Sequence, residues 1–285
     1  MNLFSCRIPE GPRELVSIFA GGLVNLSAKL QDTLRIFERR CPVCHGVFAD
    51  SFTPDSFNDL PDPMRAACPA CRHSMSRRLA GYCPHCGELA LDACSPNTPC
   101  GKCLSEPPLW TNFRFHGVFE GALREALHRA KFSADSACLA LLASILADIC
   151  RDLPELDAIV PMPLHPDRLR VRGFNQCREI ARLTARRRNV PIRDSLLLKT
   201  RHTPPQTSLS RKARLANLDN AFAASSQAKG LRLLLVDDTS TTGTSLRKGA
   251  EALIRAGAAR VDVAVIARAV RHDLLESSHH GQRMD

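Results

Sequence analysis

Along the chain, stretches in which apolar side chains return every three or four residues alternate with short runs that are apolar throughout. The first texture predicts helices, the second buried strands. Leu23, Leu26, Leu30, Leu34 and Phe37 share one face of a segment from about Pro12 to Glu38, with Pro12 suited to a first helical turn. It reads as a packing helix without chemistry of its own. Between Cys41 and Cys103 the periodicity disappears in favour of cysteine pairs, Pro and Gly, and the polar stretch from Asp50 to Pro63 reads as a long loop. Beyond Trp110 the pattern returns. Helices are expected over about Glu120 to Lys131 and Asp135 to Asp152, then a strand from about Leu156 to Val160 that ends at Pro161-Met162-Pro163. A helix from about Asn175 to Arg188 and a strand near Ser195 to Lys199 follow. Leu231 to Val236 and Val261 to Ala267 are continuously apolar, as strands covered on both faces of a parallel sheet must be. Ser245 to Ala256 between them is helical, with Gly257 as its stop, and the tail from His272 onward reads as frayed. Strand alternating with helix predicts an open α/β sheet with crossover connections.

The patternless segment carries its own chemistry. Eight of the 13 cysteines form four Cys-x-x-Cys pairs, Cys41/Cys44, Cys68/Cys71, Cys83/Cys86 and Cys100/Cys103. Such a turn lets two thiolates reach one ion at about 2.3 Å each, and two turns complete a closed tetrahedral zinc site. Pro42, Pro69 and Pro84 stiffen three of the turns, and Gly87 supplies backbone freedom after Cys86. With little apolar surface to bury, this segment needs metal to fold. Spacing leaves open whether neighbouring pairs or interleaved pairs share an ion, and Cys94 could replace one ligand. Cys6, Cys138, Cys150 and Cys177 read as buried, apolar-like residues. With all ligand positions supplied by protein, the zinc would be structural. No basic start followed by an apolar core marks residues Met1 to Arg13. The apolar run Leu15 to Leu26 is too short to span a membrane and contains Gly21, Gly22 and Asn25. Metal-bound thiolates in a reducing, cytoplasmic setting are therefore expected rather than disulfides.

The chain has 285 residues, 44% of them hydrophobic, enough for two domains with a buried core. Its formal charge of +10 is concentrated: Pro161 to Arg214 holds 14 Lys and Arg against the three acids Asp167, Glu179 and Asp194. A field so localised attracts pyrophosphate, nucleotides or a nucleic-acid backbone, although a solvated arginine-rich face would read the same way. Arg168, Arg170 and Arg172 alternate on what reads as a loop before Gly173, and could turn several guanidinium groups to one side. Arg178, Arg182 and Arg186 fall at i, i+4 and i+8 on the following helix, opposite a stripe of Phe174, Cys177, Ile180 and Leu183. The loop suits pyrophosphate; the longer stripe suits single-stranded DNA, held electrostatically and with strong salt dependence. Aromatic platforms for base stacking are scarce, Phe174 being the only aromatic in the basic stretch.

The most informative run is Leu233-Leu234-Leu235-Val236-Asp237-Asp238-Thr239-Ser240-Thr241-Thr242-Gly243-Thr244-Ser245. A buried strand delivers two acids, then a hydroxyl-rich loop with one glycine, then a helix start. Backbone N–H groups, hydroxyls and the helix dipole converge there on one anion. The two carboxylates can accept hydrogen bonds from vicinal hydroxyls, directly or through Mg²⁺. A phosphate beside a diol describes a ribose 5-phosphate.

These residues resemble the signature of type I phosphoribosyltransferases. With the four cysteine pairs, the chain resembles the ComF family of competence-associated double zinc ribbon proteins, including GntX-like members. Val160-Pro161-Met162-Pro163-Leu164-His165 and Arg172-Gly173-Phe174-Asn175-Gln176 match as well. So do Thr203-Pro204-Pro205-Gln206-Thr207-Ser208-Leu209 with Arg214, Asn217 and Ala221-Phe222, and Cys100-Gly101-Lys102-Cys103 followed by Pro107, Pro108 and Trp110. The resemblance implies a type I phosphoribosyltransferase-like parallel sheet behind an N-terminal zinc-ribbon module. The expected divisions are 1–40 (helix), 41–110 (double ribbon), 111–270 (phosphoribosyltransferase-like domain) and 271–285 (tail). It also implies that Asp237 and Asp238 face the ribose hydroxyls of phosphoribosyl pyrophosphate, that Thr241 to Ser245 cradle its 5-phosphate, and that the Pro161-Met162-Pro163 turn approaches the pyrophosphate. Arg201 would belong to a mobile lid. Thr239 and Ser240 depart from the usual apolar residues after the acids, so the packing beneath the loop is expected to differ.

The resemblance favours a scaffold that binds phosphoribosyl pyrophosphate with Mg²⁺ and handles single-stranded DNA during uptake or use, with DNA-uptake proteins as possible partners. A metabolic transferase that joins ribose 5-phosphate to a base or amine is the rival, although no base-reading segment is evident after Ala267. A zinc-ribbon nucleic-acid module with an inert second domain would require a defective phosphate loop, and this one reads as intact.

Overall fold

The computed structural model describes residues 38–49, 63–200 and 221–270. The expected helix up to residue 37, most of the 50–63 loop, Arg201, the 203–217 motif residues, Cys6 and the tail lie outside the described residues.

The N-terminal part opens with a hairpin of β1 (Glu38–Arg40) and β2 (Val47–Ala49), followed by α1 (Pro69–Ser74) and α2 (Gly101–Ser105). Then come β3 (Phe113–Val118), α3 (Gly121–Phe132), α4 (Ser136–Ile149), β4 (Ala158–Pro161), α5 (Pro166–Arg172) and α6 (Gln176–Arg188). The last elements are β5 (Leu197–Lys199), β6 (Phe222–Ala224), β7 (Arg232–Ser240), α7 (Thr244–Arg255) and β8 (Arg260–Arg268). The main sheet has the order β3-β8-β7-β4, with every neighbouring pair parallel. β5 and β6 form a separate antiparallel pair.

The continuous apolar runs place β7 and β8 at the centre because their alternate residues feed two different cores. Leu234, Val236, Ala264 and Ile266 point into one, with the buried residues of α3, α4 and α6. Leu233, Leu235, Val261, Val263 and Val265 point into the other, with Leu246, Ala250 and Leu253 of α7 and with Leu196, Leu197 and Phe222. A fully buried Leu contributes about 2 kcal/mol, so a strand apolar on both faces belongs in the middle of the sheet.

Two elements differ from expectation. β3 was not anticipated; only alternation of Phe113 and Phe115 marks it, and Phe119 lies just beyond its end. Arg168, Arg170 and Arg172, expected on a loop, lie on the seven-residue helix α5, none of whose residues is buried. Its ends account for it: Pro166 occupies the first turn, the His165 ring accepts from the Asp167 N–H, and Gly173 adopts φ 78 at the C-terminus.

The cysteine-rich segment packs on both cores. Cys41, Val43, Ala67, Cys71 and Met75 join the first, while Tyr82, Cys86 and Leu89 lie against the second. Arg129 of α3 donates to the Val43 carbonyl and to Asp135, tying the β1–β2 turn to the start of α4.

Candidate sugar-phosphate and metal sites

Asp237 and Asp238 occupy the C-terminal part of the central strand, and Gly243 then turns the chain into α7 at φ 71. A side chain there would have room, its nearest neighbour being Ser240 Oγ at 3.8 Å, so the left-handed backbone rather than crowding demands glycine. Thr242 and Thr244 hydroxyls lie 2.8 Å apart across the turn. The first N–H groups of α7 start at this loop, where a helix is electropositive.

The loop forms one wall of a cavity of about 360 Å³. Opposite stand Met162 and Pro163 of the turn after β4, and the cations Lys131, Arg168, Arg172 and Lys199 complete the rim. Asn175 fixes this turn: its amide donates to the Met162 carbonyl while its oxygen caps the N–H of Cys177. Asp238 is buried and accepts from Gln176 Nε2 at 3.0 Å, with Lys131 Nζ 3.9 Å away. The Cys177 thiol donates to Asp237 at 3.3 Å. Burial first, then the neighbouring Asp238, pushes Asp237 up to about 7. Burial together with both acids drives the Cys177 thiol well above its ordinary value, so it stays protonated. Burial and the nearby Arg168 lower Lys199.

The Thr239-Ser240 departure acquires a cause. Arg268, 2% exposed at the end of β8, donates to Ser240 Oγ at 2.6 Å, to the Gly87 carbonyl at 3.1 Å and to Glu88 at 3.0 Å. A buried guanidinium requires such partners, and an apolar residue at 240 would remove one. On the same face Arg247 of α7 lies over the Trp110 ring and donates to Cys103 Sγ at 3.7 Å. Two arginines thus join the strand end at Ser240 and the helix α7 to the second cysteine cluster.

The eight paired cysteines gather as Cys41, Cys44, Cys68 and Cys71, and as Cys83, Cys86, Cys100 and Cys103, with all sulfurs of a group within 4.8 Å of one another. Neighbouring pairs therefore meet, and Cys94 belongs to neither group. Each group combines a tight turn, carrying a positive φ at His45 or Gly87, with a helix whose N-cap is Cys68 or Cys100. The Cys44–Cys68 and Cys86–Cys100 sulfurs are 3.6 and 3.7 Å apart. Four ligands at zinc–sulfur bonds of 2.3 Å would stand about 3.8 Å apart, so both groups could hold a metal ion tetrahedrally. At Cys41 burial is outweighed by backbone N–H groups of Cys44, Cys68 and Val43, and the thiol is lowered to about 7. Cys138, Cys150 and Cys177 are buried, as expected.

The structure separates the six candidate arginines. Arg168 and Arg172 reach the cavity, whereas Arg170 pairs with Asp167. On α6, Arg178 pairs with Asp194 and Arg182 with Glu179, while Arg186 is exposed. Cys177 and Ile180 face the core; Phe174 and Leu183 are only half-buried. Sequence reasoning did not single out Lys131, Lys199 or Arg268 for the site. Gln176 and Cys177 follow Asn175 at a helix start, a position that offered a signal; Lys131, on a helix of ordinary pattern, offered none.

The phosphoribosyl transferase domain family matches residues 175–285. The DNA utilization protein YhgH of Salmonella typhi is 34% identical over 70% of this chain and 89% of its own length. Competence protein F of Haemophilus influenzae is 30% identical over 83% of this chain and 100% of its own, and competence protein ComFC of Bacillus subtilis 25% identical over 77% and 90%. A glutamine phosphoribosylpyrophosphate amidotransferase from B. subtilis aligns at 24% identity over 44% of this chain and 25% of its own, with a TM-score of 0.29, too low to bear on the fold. A parallel four-strand sheet within a chain that matches the phosphoribosyl transferase domain, behind two cysteine clusters, defines a phosphoribosyltransferase-domain protein with an N-terminal cysteine-cluster module. The chain belongs to the ComF family, together with the YhgH and competence protein F relatives.

Proposed function

We propose that this protein binds phosphoribosyl pyrophosphate with Mg²⁺ in the cavity and handles single-stranded DNA. The observation that carries the reading is the juxtaposition, at one strand end, of two carboxylates, an N–H-rich loop and a rim of four cations. In this arrangement the loop of Thr241 to Ser245 holds the 5-phosphate, Asp237 and Asp238 accept from the ring hydroxyls, and Arg168, Arg172 and Lys199 face the pyrophosphate. Gln176 and Lys131 orient Asp238, and the Cys177 thiol orients Asp237. Mg²⁺, a hard cation, would be held by the two carboxylates and the ligand's own oxygens, with the protonated thiol outside its coordination. Structural zinc in each cysteine group would fix the module to the two cores without entering the chemistry. The names of the relatives, DNA utilization and competence, support the nucleic-acid half of the proposal. Arg178 and Arg182 can exchange their surface carboxylates for DNA phosphates at little cost.

Calorimetry with phosphoribosyl pyrophosphate and Mg²⁺ tests the first half: binding heat is expected, and Asp237→Asn combined with Asp238→Asn should abolish it. An absence of heat from the unaltered protein would overturn the sugar-phosphate reading. A pyrophosphate-release assay across bases and amines distinguishes a scaffold from a transferase, since turnover with any acceptor would establish the latter.

A further inference from the structure

Among the described residues Phe132 is the only exposed Phe, Tyr or Trp, at 64%. The buried side of α3 is Leu123, Ala126, Leu127 and Ala130. Two residues beyond Ala130, Phe132 falls about 200° around the helix, on its opposite side. A lone exposed Phe is ordinary on a protein surface. This one has unusual neighbours. Lys131 Nζ and the Arg172 guanidinium each lie over its ring, 5.8 Å from the centre, and both also line the cavity. The His128 ring stands 4.6 Å away, tilted by 43°. Arg172 donates to Gln176, which donates in turn to Asp238, so a polar chain runs from the diol-facing carboxylate to this ring.

We infer that Phe132 is a stacking platform for an unpaired base of single-stranded DNA at the mouth of the cavity. The base would take the place of the two cations over the ring, and Lys131 and Arg172 would swing to the phosphates on either side of it when no pyrophosphate occupies the cavity. The cations over the ring disfavour a purely apolar partner, since covering Arg172, whose bond to Gln176 is to a neutral group, would bury its charge without an anion. A nucleic-acid strand supplies both halves of what the patch offers, a flat base for the ring and negative charge for the cations now over it. The inference rests on the single-stranded DNA reading above and adds to it a specific contact with a base.

The test compares an oligothymidylate with an abasic oligomer of the same length by fluorescence anisotropy at low salt, for the full chain and for Phe132→Ala and Phe132→Tyr. Phe132→Ala should weaken binding of the oligothymidylate on the order of tenfold, leave the abasic oligomer within about twofold, and be rescued by Phe132→Tyr. A 2-aminopurine placed within the oligomer should gain emission on binding the unaltered protein, as it leaves its neighbouring bases for the ring, and should not do so with Phe132→Ala. Equal loss on both oligomers, no loss on either, or no rescue by Tyr would overturn the platform while leaving DNA binding in place. If the unaltered protein binds neither oligomer, the platform and the DNA reading fall together, and the phosphoribosyl pyrophosphate calorimetry still judges the sugar site independently.

Discussion

At the scale of single residues, the acid pair and the buried arginine carry the clearest expectations. Asp237 ionises near pH 7 in the fold against 3.8 as its ordinary value, because burial and Asp238 both oppose its charge. A raised carboxyl binds its proton more tightly when folded. The resulting stability is present in full below about pH 4 and is lost as the pH rises through 7. Urea midpoints of the unliganded protein should therefore fall between about pH 4 and 7 and level off above that. Asp237→Asn, a permanent mimic of the protonated acid, should flatten that slope, and an unchanged slope would assign it to other groups. Arg268→Ala removes a guanidinium that satisfies Ser240, Gly87 and Glu88 together. Its loss should cost about 3 kcal/mol in denaturation midpoints. Arg268→Lys should recover little of this, since one ammonium cannot reproduce a planar fork with three partners. The Ser240 departure was visible in the sequence, but its partner was not. Nothing in the chain near residue 240 points to Arg268, because 28 residues and a crossover helix separate them.

At the scale of elements, the parts that were legible are those whose residues announce their own environment. β7 and β8 are apolar on both faces, and α3, α4, α6 and α7 carry a 3.6-residue stripe, so their existence followed from local pattern. α5 lacks any buried side and could not be found that way; only Pro166 and Gly173 marked its ends. β3 has a strand pattern but sits between cysteine-rich sequence and a helix, where six residues give little to count. Gly243 illustrates the legible class within the site. Gly243→Ala should cost about 1 kcal/mol of stability, from the left-handed backbone alone. If the loop seats a phosphate, calorimetry on the same variant should also show weakened ligand binding, because relieving that strain re-aims the N–H groups of the loop.

At the scale of the whole molecule, the two cysteine groups belong to opposite faces of one sheet. Residues around the first extend the core shared by α3, α4 and α6, and residues around the second extend the core over α7. This partition was not readable from spacing, which allowed interleaved pairing equally well. Chelation at neutral pH should lower the melting temperature and release metal in proportion to the sites lost, read with a colorimetric zinc indicator. Cys41→Ser and Cys83→Ser should loosen different faces, distinguishable by whether hydrogen exchange quickens first in α4 or in α7. Concurrent quickening in both would show that the faces do not act separately. Among the described residues no helix is long and apolar enough to cross a membrane.

The short helix Pro166–Arg172 buries none of its side chains and is held at its ends by a proline, a ring nitrogen and a glycine turn. Unravelling it sacrifices those end bonds and the Arg170–Asp167 and Arg172–Gln176 contacts, together on the order of 2 kcal/mol. It should therefore open and close many times while the central strand beneath stays shut. Each opening would carry Arg168 and Arg172 away from the cavity together and leave the chamber momentarily less positive, a breathing motion that deuterium uptake at amides 169–173 would register long before the strand exchanges.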